Sequence, residues 1–246
     1  MVIGEKNSYL AHNAEYEQEN SLEWHEKCYA EYEKNNDFEK IGFKNALEKY
    51  PQVRGVHIDV GSGAGWLLVK TAPMFKKVVG IEPSAAAVEL AKHFTKKFSN
   101  ITHVNTGMIE AIEQLKISEP IFFTTSTVLS HINDATVVDF LRLINKAPSG
   151  SVLFFREPYG KNHQQYLWHI RSKNWWACNL NEWNLEFNGY AGGGYSNGIT
   201  GVKVGVNNVK NHYPMSINEK IFWCISGLPS RFKYMGKLFI KLFKKR

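Results

Sequence analysis

A doubly wound α/β sheet, mostly parallel and seven-stranded, is the fold this sequence predicts, and three observations carry it. From Val53 onward, apolar runs of strand length alternate with helical stretches five times over, the texture of βαβ units around a parallel sheet. Two later runs, "GVKVGV" and "EKIFWCISG", read as a closing pair of strands. The chain of 246 residues is long enough for one large core, and its 43% hydrophobic and 13% aromatic content argues against a disordered body.

Each element follows from its own residues. The acidic, aromatic stretch up to Pro51 has few breakers and reads as two or three helices, an N-terminal helical segment over 1–52. "VRGVHIDV" is the first strand and "WLLVKTAPMF" holds a short helix. "KKVVGIEP" is the second strand, and Ser84 caps the alanine-rich amphipathic helix "SAAAVELAKHFTKKF". "NITHVNTG" and "PIFFTTS" are strands three and four, each followed by a helix, "MIEAIEQLK" and "DATVVDFLRLINKA"; "GSVLFFREP" is strand five. Residues 159–200 break the pattern with Trp, Tyr, Asn, His and Gly, and are expected to form an inserted cap or lid within a domain over 53–226.

The net charge of +7 belongs to the end of the chain. Seven of the 30 basic residues lie in 227–246, which holds no acid, so the rest balances at 23 against 23; a nucleic-acid-binding face on the domain is not implied. Over 230–246 Phe232, Met235, Leu238, Phe239, Leu242 and Phe243 share one helical face and Lys233, Lys237, Lys241 and Lys244 the other, a basic amphipathic helix suited to docking on the domain or to an anionic membrane surface. The absence of a signal-like h-region and of any apolar run of about 18 residues predicts a cytoplasmic protein. Cys28, Cys178 and Cys224 form neither a disulfide framework nor a metal motif, and no His, Asp or Glu grouping has metal-ligand spacing.

"HIDVGSGAGW", 57–66, is the segment that carries chemistry. Gly61, Gly63 and Gly65 spell G-x-G-x-G, but Trp66 occupies the place where a dinucleotide turn has its last glycine, and no Gly-Lys-Ser/Thr follows as in a phosphate loop. Asp59, at the strand end, suits a cationic or amine-bearing ligand. Glu82, ending the second strand, stands where a carboxylate accepts hydrogen bonds from ribose hydroxyls. A positively charged nucleoside without phosphates satisfies both.

"DVGSGAG", "GIEPS", "NTGMIEAI" and "TVLSHINDATVVDFLRLINKAPSGSVLFFRE" together resemble, in order and spacing, the class I S-adenosylmethionine-dependent methyltransferases over about Val53 to Glu157. The resemblance implies a Rossmann-like sheet, with S-adenosylmethionine as cofactor and S-adenosylhomocysteine as product. It implies that Gly61, Ser62 and Gly63 pass under the methionine part, with Gly65 closing the turn. Asp59 organises the loop and the amine, Glu82 and Pro83 lie at the ribose, Met108, Ile109 and Glu110 border the adenine, and Thr125 or Ser126 lies beside the transferable methyl. One departure is that "PIFFTTS" lacks the acid usual at the start of strand four.

For the acceptor, His131, His163 and Glu157 are the candidates for positioning or proton removal, although a histidine at the place of His131 more often caps a turn. His169 and the aromatics Tyr159, Trp175, Trp176, Trp183 and Tyr190 either face an acceptor or pack the segment 159–200 on itself. The sequence points to O-methylation of a small polar acceptor, a sugar, nucleotide-linked sugar or phosphate-type group, and is reminiscent of enzymes that decorate bacterial capsule or cell-surface glycans. The alternatives are a small-molecule N-methyltransferase and a catalytically silent cofactor-binding or membrane-peripheral protein. Base-flipping N-methylation of nucleic acid is disfavoured, since "TTST" replaces an Asn-Pro-Pro-Tyr type tetrapeptide.

Overall fold

The computed structural model describes residues 22–34, 43–116, 118–159, 163–165, 168–188 and 198–204. Two helices, α1 (Leu22–Lys34) and α2 (Phe43–Lys49), lead into β1 (Val56–Val60), α3 (Trp66–Thr71), β2 (Lys77–Ile81), α4 (Ala85–Thr95), β3 (Ile101–Val104), α5 (Met108–Gln114), β4 (Ile121–Ser126), α6 (Asp134–Ile144) and β5 (Val152–Arg156). A small hairpin follows, β6 (His163–Gln165) and β7 (Trp168–Ile170), then α7 (Lys173–Asn179), β8 (Trp183–Asn188) and β9 (Gly198–Lys203).

Seven strands form one sheet in the order β3-β2-β1-β4-β5-β9-β8. The first five pair in parallel; β9 is antiparallel to both β5 and β8. Between β1 and β4 the strand order reverses, which opens a crevice at the carboxyl ends of these two strands.

Alternation along the strands builds two cores. Ile58, Val60, Val79, Ile81, Phe123, Leu153 and Phe155 face one side, where α5, α6 and α7 bring Ile112, Phe140, Leu141 and Trp176. Val78, Phe122, Val152 and Phe154 face the other, covered by Phe43 and Leu47 of α2, Leu68 of α3 and Phe75. Ser84 caps α4 as expected, its side chain accepting from the Ala87 N–H, and at the start of α6 the Asn133 side chain accepts from the Thr136 N–H.

The described residues of 159–200, the stretch expected to form a cap, include elements packed into the sheet layers. Within them α7 and β8 belong to the body of the domain, and Trp176 and Trp183 are fully buried. "WNLEFN" places Trp183, Leu185 and Phe187 on the packed side of an edge strand, and Trp183 Nε1 donates to Asn145 Oδ1 at 2.9 Å. Of the predicted closing pair, "GVKVGV" contributes to β9, whose partner is β8; "EKIFWCISG", the run at 230–246, and residues 1–21 lie outside the described residues. No helix among the described residues is long and apolar enough to cross a membrane.

If β8 is part of the core, Trp183→Ala should cost about 3–5 kcal/mol in urea denaturation. A midpoint and slope equal to those of the parent chain would mean that this segment folds apart from the sheet.

Candidate functional site

The turn after β1 lies in the crevice between β1 and β4. Gly61, Gly63 and Gly65 all have left-handed backbone, at φ 73°, 51° and 80°, which an L side chain adopts only at a cost. Two of them also have no room. A Cβ on Gly61 would lie 2.2 Å from the Val128 side chain, and one on Gly65 would meet Ala91 of α4 at 2.9 Å. Gly65 thus permits the close helix approach that a later glycine provides in a dinucleotide turn. Trp66 starts α3 instead and packs beside His25 and Tyr29 of α1.

The amides of this turn are engaged from within. Gly61 N–H and Ser62 N–H both donate to the Ile81 carbonyl, at 2.8 and 3.1 Å, and Gly65 N–H donates to Ser62. Gly63 N–H donates to Glu82 Oε2 at 3.0 Å, and Ser84 N–H to Glu82 Oε1 at 2.9 Å. A phosphate cradle needs such amides aimed at its ligand, so this turn is not one.

Two buried carboxylates sit at this mouth. Each Glu82 oxygen takes one N–H and keeps acceptor capacity for one further donor. Asp59 lies beside Thr124 in the β1·β4 register and accepts from its hydroxyl at 2.6 Å. Burial pushes the Asp59 carboxyl up to about 7; the Thr124 hydrogen bond opposes this and the nearby Glu82 charge adds to it. Two strand residues behind it, the fully buried His57 imidazole spans Thr71 and Thr124, and burial pushes it down to about 3.

The second wall of the crevice is the loop after β4, held from both sides. Glu157 Oε1 accepts from Thr125 Oγ1, Val128 N–H and Leu129 N–H, and Oε2 from Ser130 N–H, at 2.8–3.1 Å. Burial raises its carboxyl above the ordinary range, while these hydrogen bonds pull the other way. Arg171 donates to the carbonyls of Leu129 and Ile132 and to Asp134, and its guanidinium lies 4.9 Å from the Trp175 ring. Among the described residues Thr127, within this loop, is the non-glycine residue at positive φ, 58°.

The predicted residues gather as follows. Asp59, Gly61, Ser62, Gly63, Gly65, Glu82 and Pro83 surround the ends of β1 and β2, with Asn105 Nδ2 donating to the carbonyls of Glu82 and Pro83. Met108, Ile109 and Glu110 open α5, where Glu110 accepts from Thr106. Thr125 faces Glu157, whereas Ser126 Oγ faces Arg156 Nη1 at 3.3 Å. His131 is exposed on the loop after β4; His163 lies in β6, its side chain outside the described residues. His169, in β7, is half-buried, and burial followed by the Arg171 charge lowers its imidazole. Tyr159, Trp176 and Trp183 are core residues, and Tyr190 lies outside the described residues. Cys28 and Cys178 are not joined in a disulfide. Among the described residues no group of three or more His, Cys, Asp or Glu is placed to hold a metal ion.

Three participants were not anticipated from the sequence: His57, Thr124 and Arg171. A histidine at an inward position of an apolar strand was the available signal for the first. Arg171 sits in an aromatic run, where only its contacts reveal that it clamps a loop.

No family model matches the chain, and no curated protein matches it in sequence. Solved structures do match. Phosphoethanolamine N-methyltransferase 1 of Haemonchus contortus, in complex with phosphoethanolamine and S-adenosylhomocysteine, aligns with a TM-score of 0.60 at 11% identity over 85% of this chain. The chain thereby spans 51% of that protein. DhpI in its complex with SAH aligns at 0.53, with 14% identity over 83% of this chain and 99% of that one. The N-methyltransferase NodS from Bradyrhizobium japonicum WM9, with S-adenosylhomocysteine, aligns at 0.50, with 16% identity over 71% and 87%. The fold is that of the class I S-adenosylmethionine-dependent methyltransferases.

The buried acid makes stability depend on pH in a calculable direction. Folded Asp59 keeps its proton to about pH 7 against 3.8 for a free carboxyl, so stability falls as pH rises through that interval, by on the order of 4 kcal/mol. His57 acts oppositely, losing stability as pH falls below 6.5. Comparison of Asp59→Asn with the parent chain isolates the first effect. In urea denaturation the variant should gain on the parent by up to about 4 kcal/mol between pH 4 and 8; a gap constant with pH would mean that Asp59 ionises as a free carboxyl does.

Proposed function

We propose that this chain is an S-adenosylmethionine-dependent methyltransferase acting on a small polar acceptor. The observation that carries the reading is the turn at 61–65, whose amides are tied to Ile81 and Glu82 while two carboxylates stand at its mouth. Such a site repels phosphate and suits a cationic nucleoside. Its donor chemistry fits the cofactor: Glu82 has one further acceptor position on each oxygen for a ribose diol, Asp59 offers a carboxylate for the amine, and Met108 and Ile109 border an adenine.

When bound, the cofactor supplies an electrophilic methyl on a sulfonium that departs as a neutral thioether. The chain's own task is then alignment and exclusion of water. Ser126 and Arg156, at the ends of β4 and β5, flank the place an acceptor would take. A guanidinium there suits an anionic oxygen, which needs no base to be nucleophilic. Glu157 serves this reading by holding the loop 128–130 through its amides rather than by taking a proton, which leaves His131 and His163 as the candidates for an acceptor that needs one.

Oxygen of a sugar or phosphate-type group, as in capsule or cell-surface glycan precursors, is the acceptor class favoured by the sequence, and Arg156 agrees with its anionic members. An amine is the second reading, favoured by two N-methyltransferases among the structural neighbours.

Isothermal titration with S-adenosylmethionine and S-adenosylhomocysteine tests the proposal. Micromolar binding is expected, weakened more than tenfold in Glu82→Ala, a loss of at least about 1.4 kcal/mol. A folded chain that binds neither compound would overturn it. Turnover with any acceptor then separates an enzyme from a silent binding protein.

A further inference from the structure

Asp59 presents its two oxygens differently. Oδ1 accepts from the Thr124 hydroxyl at 2.6 Å, and that hydroxyl also lies 2.8 Å from His57 Nε2. A hydroxyl has one proton to give, so with Thr124 donating to Asp59 the imidazole donates to Thr124 through Nε2–H. Oδ2 has no hydrogen-bond partner among the described residues, yet it is not one of their sealed, unpartnered polar atoms. It is therefore open to the crevice, and the carboxyl can gain or lose a proton there with the rest of the network unchanged.

The surroundings decide what Oδ2 holds when no ligand is bound. Ile58 and Val60, on either side of Asp59, and Thr125 in the adjacent strand are each 1% exposed, and desolvation of this kind favours the neutral acid. Glu82, at the end of β2, is the charged group that acts on Asp59, and its like charge works in the same direction. His57, behind Asp59 on β1, is held neutral by burial.

The other charged groups on neighbouring elements are turned elsewhere. Lys77 at the far end of β2, His131, and Lys44, Glu48 and Lys49 of α2 are exposed, and Lys70 of α3 is half-buried. Glu89 and Lys92 of α4 pair with each other, and Glu110 of α5 accepts from Thr106 and Gln114. Past β4, Glu157 holds the loop amides and Arg156 bonds Ser126. Among the described residues no cation is hydrogen-bonded to Asp59.

A neutral carboxyl offers a cation no charge, and an ionised one in this place lacks a counter-charge. Both difficulties vanish if cation and proton change places. We propose that Asp59 takes its ligand by exchange, Oδ2 carrying a proton in the ligand-free chain and a primary ammonium of the ligand displacing that proton to occupy the same oxygen. The step balances: the O–H bond at Oδ2 breaks, its proton leaves to solvent, and an ammonium N–H donates to the carboxylate that remains. Thr124 holds Oδ1 in both states.

The identity of the ligand rests on the methyl-donor reading above, in which the ammonium belongs to the amino-acid part of S-adenosylmethionine. Exchange makes that contact responsive to pH, since acid restores the proton and expels the cation. An α-ammonium keeps its proton below about pH 7.7, so in the acid range the charge of the ligand is constant and a change in affinity originates in the protein.

The test joins two measurements on the full chain at pH 6. Isothermal titration with S-adenosylmethionine in buffers of different ionisation enthalpy counts the protons released, and carbon NMR of the Asp59 carboxyl with and without the ligand identifies their source. The expected result is close to one proton released per ligand bound, with the Asp59 carboxyl changing from protonated to ionised on saturation. With Asp59 titrating near pH 7 in the free chain, affinity should fall roughly 15-fold from pH 7 to pH 5.5. Thr124→Val keeps the carboxyl but removes the hydrogen bond that favours its ionised form, and should move this profile to higher pH.

Binding whose heat is the same in every buffer, or an Asp59 carboxyl in one state with and without ligand, would overturn the exchange and leave the methyl-donor reading standing. An Asp59 carboxyl already ionised at pH 6 in the free chain would overturn the exchange by itself. Absence of binding by a folded chain would overturn the methyl-donor reading and, with it, the exchange for this ligand.

Discussion

Two amides converge on one carbonyl: Gly61 and Ser62 both donate to Ile81, and the crevice takes its form from that contact. It folds the chain leaving β1 across the end of β2, which requires left-handed backbone at once and therefore glycine. The same fold-over brings Gly63 N–H to Glu82, lays Gly65 against Ala91, and starts α3 at Trp66. A residue with a side chain at 61 would displace Val128, so the turn also fixes how near the loop after β4 stands. The two walls of the site are thus set by one backbone geometry.

That second wall is an irregular segment that the sheet alone cannot position. Its carbonyls and amides are buried against the protein, where unpaired backbone groups are costly. Glu157 gathers three of the amides and Arg171 two of the carbonyls, so one acid and one base replace the ladder that a strand would have supplied. Because Glu157 follows β5 and Arg171 follows β7, the loop is tied to elements on both sides. This explains why an acid beside the crevice need not be a reactant: its acceptor capacity is largely taken by the loop.

What could be read from the sequence was whatever rests on local pattern. The five parallel strands, the Ser84 cap, the glycine turn and the pair Asp59 and Glu82 all announce themselves within a few residues of where they act. What escaped depends on pairing over distance. The alternation in "WNLEFN" is a strand pattern, yet its partner β9 lies beyond a further stretch of chain, and the density of aromatics around it suggested a separate cap. Trp176 and Trp183 instead join the core, Trp176 against Phe155 and Trp183 bonded to Asn145 at the C-terminal end of α6. His57 escaped for a related reason: its partners Thr71 and Thr124 are 14 and 67 positions away, and nothing adjacent in sequence marks them.

The site holds two acids, Asp59 and Glu82, and among the described residues no cation is hydrogen-bonded to either. Burying a carboxylate without a counter-charge is unfavourable, and here the second acid adds to the cost for the first. A sequence selected for stability alone would place an apolar residue or a glycine at 59, as β1 does with valine and isoleucine around it. The arrangement makes physical sense if a cation completes it, because binding to the folded state then returns the electrostatic deficit as affinity. On this view the raised carboxyl of Asp59, the neutral histidine behind it and the engagement of the turn's amides from within are one feature: a crevice left deficient in positive charge.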